Sequence, residues 1–288
     1  MDFFLDPTID GILCVRGGTG SLPILPLLDH DAIAAHPKWI VGLSDPSALL
    51  LGLFARSGLV SISGQMVVQL HEGMQEYTET HWKGMLRGDW PEYLGNNPRW
   101  SPPWVVPAPP TDAGANQASP SETDRQALPG AWMDPATGLR ALTTLVPGSA
   151  QGPLLPANFS MMTRLIGTPY LPSLDGAILL LEEIDERPEG LDRMVAHLAL
   201  SGLDRKLAGL VLGQFSGCTP RNEKMTERDG LEEVWTWARS LGIPVLAGFP
   251  YGHERLATAV PVGATVQIEQ DPPGLRLLET PPQMGETV

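Results

Sequence analysis

Trp39-Ile40-Val41-Gly42 is a short apolar run that breaks at Leu43-Ser44-Asp45-Pro46 and continues as Ser47-Ala48-Leu49-Leu50-Leu51-Gly52-Leu53-Phe54. The run is the length of a buried strand, the break is a sharp turn, and the continuation is a helix. A strand that hands over directly to a helix belongs in a parallel α/β sheet. Ser44 then stands at the carboxyl edge of that sheet and faces a helix N-terminus, whose free N–H groups favour negative charge. Nucleophilic serines occupy such elbows. Gly42 matches the first glycine of the Gly-x-Ser-x-Gly pattern, and Pro46 replaces the second. The same residues also suit an ordinary helix start, with Ser44 or Asp45 as the capping side chain and Pro46 in the first turn.

A similar unit comes earlier. Gly11-Ile12-Leu13-Cys14-Val15 reads as a buried strand, and Arg16-Gly17-Gly18-Thr19-Gly20 follows at once. Glycines at this density let a backbone turn tightly and bring bare N–H groups close to a ligand. The loop lacks the Gly-Lys-Ser/Thr of a phosphate loop and the glycine spacing of a dinucleotide site. It suits an oxyanion-binding loop beside a nucleophile, or a plain tight turn. Residues 22–28 and 31–35 read as helical, so 11–53 is strand, loop, helix, strand, turn, helix, with both loops at carboxyl strand ends. Residues 59–66 read as a third strand and 68–85 as helical or irregular.

The formal charge of −14 leaves no basic patch to displace counterions from nucleic acid. With 42% hydrophobic and 18% charged residues the chain is a packed globular protein. No stretch approaches the length of a membrane span, and no basic-then-apolar leader is present. Cys14 and Cys218 have no metal-type spacing and read as reduced thiols of a cytoplasmic protein.

Between Pro91 and Pro129 proline, glycine, alanine, serine and aspartate dominate. This places a domain boundary there, with 107–129 the least structured part. Residues 177–183 then form an apolar strand ending in Glu182-Glu183. Residues 193–203 have helical periodicity, 207–215 read as a strand, 231–241 as an amphipathic helix and 243–248 as a strand. Phe249-Pro250-Tyr251-Gly252-His253 follows, and residues 260–278 alternate as β-structure. Glu182 at a strand end and His253 in a glycine-bearing turn complete, with Ser44, a coherent Ser–Glu–His set. Histidine would take the serine proton, and glutamate would fix its tautomer. A solvated carboxylate and a surface histidine are the ordinary alternatives, and spacing leaves open whether the three meet.

The chain resembles the LD-carboxypeptidases, the serine peptidase family of murein tetrapeptide carboxypeptidases and microcin C self-immunity peptidases. The resemblance rests on residues 12–20 and 37–45, on Gly152-Pro153-Leu154-Leu155-Pro156-Ala157-Asn158, and on Gly167-Thr168-Pro169-Tyr170, Asp175-Gly176 and 178–182. Asp192-Arg193, Gly213-Gln214-Phe215 and 248–253 complete it. It implies an α/β protein with a flavodoxin-like N-terminal domain carrying the serine and a smaller β-rich C-terminal α/β domain carrying Glu and His. The expected division is 1–95 for the first, 96–150 for a Pro-rich linker or insertion, and 151–288 for the second. Ser44 would be the nucleophile, His253 the base and Glu182 the residue that orients it. The N–H groups of Gly18 and Asp45 would form the oxyanion hole, and Arg16 and Asn158 would bind substrate. The implied reaction is hydrolysis of the amide between an L-centre and a C-terminal D-amino acid, releasing D-alanine from a muropeptide tetrapeptide during cytoplasmic wall recycling. No metal or organic cofactor is implied, and homodimers are.

The pattern also departs from the family. Thr19 stands where the family's loop has tyrosine, Ser63-Gly64-Gln65 replaces His-Gly-Pro, and Pro156-Ala157 replaces Gly-Gly. Family members carry a fuller βαβ-like region before the Arg-Gly-Gly loop, whereas residues 1–10 alone precede the first strand here. The expectation is a truncated N-terminal sheet with an unpaired edge. Two alternatives accompany the carboxypeptidase reading: a self-immunity type peptidase acting on peptidyl-nucleotides, and an inactive muropeptide-binding relative.

Overall fold

The computed structural model describes residues 1–70, 74–95, 142–218 and 227–280. Its strands are β1 (Gly11–Leu13), β2 (Trp39–Gly42), β3 (Ser61–Ser63), β4 (Tyr93–Gly95), β5 (Thr143–Val146), β6 (Gln151–Asn158), β7 (Ile178–Ile184), β8 (Gly209–Ser216), β9 (Val245–Ala247), β10 (Val260–Val262), β11 (Thr265–Gln270) and β12 (Pro273–Leu277). The helices are α1 (Asp2–Leu5), α2 (Ser21–Ile24), α3 (His30–Ala35), α4 (Pro46–Ser57), α5 (Glu76–Arg87), α6 (Phe159–Thr163), α7 (Pro188–Leu200) and α8 (Glu227–Ser240).

Two sheets form among the described residues, a four-stranded one ordered β1-β2-β3-β10 and an eight-stranded one ordered β4-β12-β11-β6-β7-β8-β9-β5. In the first, β1, β2 and β3 run parallel and β10 antiparallel. In the second, β6 to β9 are parallel and the strands flanking them antiparallel. The α/β class and its two sheets follow the expectation, and the second sheet is the larger. Strand membership crosses the expected boundaries. β4 pairs with β12, β5 pairs with β9, and β10 returns to β3. A shift in composition marks where a chain stops being regular, whereas sheet membership is decided by pairing. The proline-rich residues 101–129 lie outside the described residues.

β7 shows why its run is continuously apolar. Leu179 and Leu181 enter the core cluster that holds Leu50, Leu51 and Leu53 of α4. Ile178 and Leu180 enter a second cluster on the opposite face, with Leu43, Phe249 and Tyr251. Alternate side chains point to opposite faces, and here both faces are covered. Helix α4 is buried along most of its length because β2 and β3 contact it on one side and β6 and α6 on the other. It is therefore the element shared by the two sheets, and the Ser44 turn lies at its start. Helix α7 begins at Pro188, earlier than the periodicity from 193 indicated, since proline at the first helical position lacks only an N–H the helix does not use.

Candidate active site

Ser44 adopts φ 68°, a left-handed backbone that side-chain-bearing residues rarely take. The turn is closed by Ser47 N–H donating to the Ser44 carbonyl at 2.8 Å. Gly42 makes this packing possible, because a Cβ there would stand 2.5 Å from the Pro46 Cβ. Neither side chain offered by the capping alternative caps α4. Asp45 occupies the cap position without a side-chain cap bond. Its carboxylate instead accepts from the Ser21 N–H (3.0 Å) and hydroxyl (2.6 Å). That pair ties the serine turn to the residue just past the Arg16–Gly20 loop.

The loop itself lies against the serine. A Cβ on Gly17 would come within 2.9 Å of the Ser44 Cβ and 3.0 Å of its Oγ, so only a bare backbone fits. Gly18 follows with φ 120°. Arg16 is solvent-exposed, with its Nε–H donating to the Gly17 carbonyl at 3.3 Å. Cys14, just before the loop, is pushed up to about 11 by burial and by the Asp45 charge, so its thiol stays protonated.

Glu182 lies near the carboxyl end of β7, and His253 follows β9. His253 Nδ1 is 2.7 Å from Glu182 Oε2, with the carboxylate fully buried and the imidazole 14% exposed. Burial alone would disfavour the imidazolium. The Glu182 hydrogen bond and charge, helped by Glu183 and Asp185, outweigh it and raise the His253 pKa above its ordinary 6.5. The histidine loop is pinned from β8: Gln214 Nε2 donates to the Leu256 carbonyl (2.8 Å), its Oε1 accepts from the Glu254 N–H (3.2 Å), and Ser216 Oγ donates to Glu254 (2.6 Å). The β7–β8 register shifts between Leu181 and Glu183, beside Glu182, a place where bulges re-aim side chains.

Glu183 faces away from Glu182. It accepts from Asn158 Nδ2 (2.8 Å), Ser160 N–H (2.8 Å) and Ile184 N–H (3.0 Å). Burial raises its pKa against these bonds. Asn158 is buried, and its Oδ1 accepts from Met161 N–H and Ser160 Oγ at the start of α6. Both ends of its amide are thus engaged inside the protein.

Of the residues singled out from sequence, Glu182 and His253 are brought into contact, and Ser44 is brought against the glycine loop. The Ser44 hydroxyl makes no hydrogen bond to His253. A cavity of about 160 Å³ opens beside His253, lined by apolar side chains such as Val68 and Met74 as well as by Gln65, Gln69, Thr78 and Arg255. Sequence reasoning misses Gln214 and Tyr251, which the structure ties to the His253 loop. Their signal was present in the sequence: each is a polar group embedded in an apolar stretch, the kind of residue whose burial calls for a partner.

The fold is thus α/β, with a strained serine elbow and a glycine loop at strand ends of the first sheet and a buried Glu–His pair at strand ends of the second. Residues 1–64 match the LD-carboxypeptidase N-terminal domain and residues 151–268 the LD-carboxypeptidase C-terminal domain. The chain belongs to the LD-carboxypeptidase family. It is 29% identical to the murein tetrapeptide carboxypeptidase of Pseudomonas aeruginosa, over 91% of this chain and 73% of that one. The microcin C7 self-immunity protein MccF of Escherichia coli is 25% identical, over 95% of this chain and 75% of that one. The fold superposes on wild-type apo MccF with a TM-score of 0.74 at 23% identity, covering 97% of this chain and 78% of that one. On the muramoyltetrapeptide carboxypeptidase of Oxalobacter formigenes it scores 0.71 at 23% identity, covering 98% and 82%.

Proposed function

We propose that this chain is a serine carboxypeptidase that hydrolyses the amide between an L-centre and a C-terminal D-amino acid, releasing D-alanine from a muropeptide tetrapeptide. The observation that carries the reading is the Glu182–His253 pair at 2.7 Å, taken with a Ser44 turn held at positive φ against the glycine loop. Because Nδ1 is engaged by Glu182, Nε2 is the nitrogen free to take a proton. Ser44 Oγ attacks the scissile carbonyl as His253 accepts its proton. The oxyanion is held by the N–H groups of Gly18 and Asp45, and the bond to the D-amino acid breaks as His253 returns the proton to the leaving amine. Water then attacks the acyl-serine by the reverse proton route, restoring the Ser44 hydroxyl and releasing the shortened peptide. The cavity beside His253 offers space for a ligand, and Arg16 is exposed in the glycine loop. Asn158 acts from behind, fixing the strand end through Glu183.

The kinship with murein tetrapeptide carboxypeptidase supports this substrate, and the likeness to MccF supports a second reading on peptidyl-nucleotides. The cytoplasmic setting and the homodimer rest on the family resemblance. A panel of muropeptide tetrapeptide and peptidyl-nucleotide substrates tests the reading, with free D-alanine and free nucleotide as products. D-alanine release at the higher kcat/KM is expected. Turnover of the nucleotide substrates alone would replace the first reading with the second.

A further inference from the structure

Tyr251 is fully enclosed, and it lies two residues before His253. Its backbone belongs to the second sheet, since the Gln214 N–H donates to its carbonyl at 2.9 Å. Its hydroxyl belongs to the first. It lies 2.7 Å from Ser63 Oγ at the end of β3. Ser63 is paired with Gly42 of β2, and the Gly64 N–H donates to the Gly42 carbonyl at 3.0 Å, two residues before Ser44. Ser63 is fully buried. A short chain of contacts therefore runs from the strand end that leads into the Ser44 turn, through Ser63, to the Tyr251 hydroxyl, and along two residues of backbone to His253.

Resting on the reading of Ser44 as nucleophile and His253 as base, we propose that Tyr251 is a positioning residue that sets the Ser44 elbow against the His253 loop across the junction of the two sheets. Packing alone would need only a ring, and phenylalanine would supply it. The hydroxyl adds direction: it meets Ser63 on β3, so it fixes the loop against the opposite sheet. Burial and the nearby Glu182 charge keep the phenol protonated, so it acts by hydrogen bonding and not as an acid or base. A displacement on the order of 1 Å between reacting groups costs up to about 10²-fold in rate, so a single buried hydroxyl can govern kcat.

The test is Tyr251→Phe, with Ser63→Ala beside it, each compared with the unaltered chain well below its thermal midpoint. Two quantities are read: the rate at which a small fluorophosphonate modifies Ser44, and kcat and KM for D-alanine release. The fluorophosphonate needs the Ser44–His253 geometry but no peptide contacts. Tyr251→Phe is expected to slow labelling and lower kcat by about tenfold or more, with KM changed less than about twofold. Ser63→Ala is expected to do the same, and it carries the test if Tyr251→Phe does not fold. Labelling and kcat at the unaltered rate in a folded variant would overturn the positioning role. No labelling of the unaltered chain would overturn the nucleophile reading beneath it, a separate and distinguishable failure.

Discussion

Glu182 and His253 lie 71 residues apart in the chain and 2.7 Å apart in the protein. The strand carrying Glu182 and the strand preceding His253 both end at the same edge of one parallel sheet, with β8 between them. β8 also supplies Gln214 and Ser216, which clamp the loop after His253. The pair is therefore built into the sheet and does not wait for substrate.

This pair makes activity depend on pH in a defined direction. In the proposed mechanism the imidazole must be neutral to take the serine proton, and its pKa is raised above 6.5. kcat/KM should therefore fall as pH drops through a value higher than that of an ordinary histidine. Glu182→Gln removes the bond and the charge that raise it, while burial still disfavours the cation. The acid limb should move to lower pH and the plateau rate should fall on the order of 10³-fold or more. A pH profile of kcat/KM for both proteins checks this, and an unmoved limb would contradict it.

Gly17→Ala places a methyl group 2.9 Å from the Ser44 Cβ and 3.0 Å from its Oγ. The loop must retreat or the serine must turn, and either spoils the approach of the Gly18 N–H to the reacting carbonyl. We expect kcat to fall by about 10²-fold or more, the cost of losing one oxyanion donor, with a smaller change in thermal midpoint. Steady-state kinetics and a melting curve on one preparation separate the two effects.

Asp45→Ala keeps the backbone N–H assigned to the oxyanion and removes the carboxylate that accepts two bonds from Ser21. Ser21 and Asp45 are both nearly enclosed. Leaving those donors without a partner should destabilise the fold by about 1–3 kcal/mol. Denaturant unfolding reads this as a lowered midpoint.

Much of the first sheet was legible because its strands are short apolar runs ended by turn residues, and the Ser44 elbow could be placed to the residue. The positive φ at Ser44 could not be read, because an αL serine carries no local sequence mark once Pro46 replaces the usual glycine. The sequence sets Glu182 and Glu183 side by side at a strand end and carries no physical mark that separates them. The structure supplies the physical difference, since alternation along β7 turns one carboxylate to His253 and the other to Asn158 and α6. Strand exchange between the halves was not legible. β10 looks like any other alternating segment until Val260, Pro261 and Val262 are seen beside β3. The apolar patterns of β4 and β5 are likewise too short to announce which sheet they join.

The most direct measurement is D-alanine release from a muropeptide tetrapeptide by this chain, followed beside Ser44→Ala at matched folded concentration. The account predicts release by the unaltered protein and a loss of several orders of magnitude in the variant, with unfolding midpoints nearly equal. Release by Ser44→Ala at the unaltered rate would contradict it.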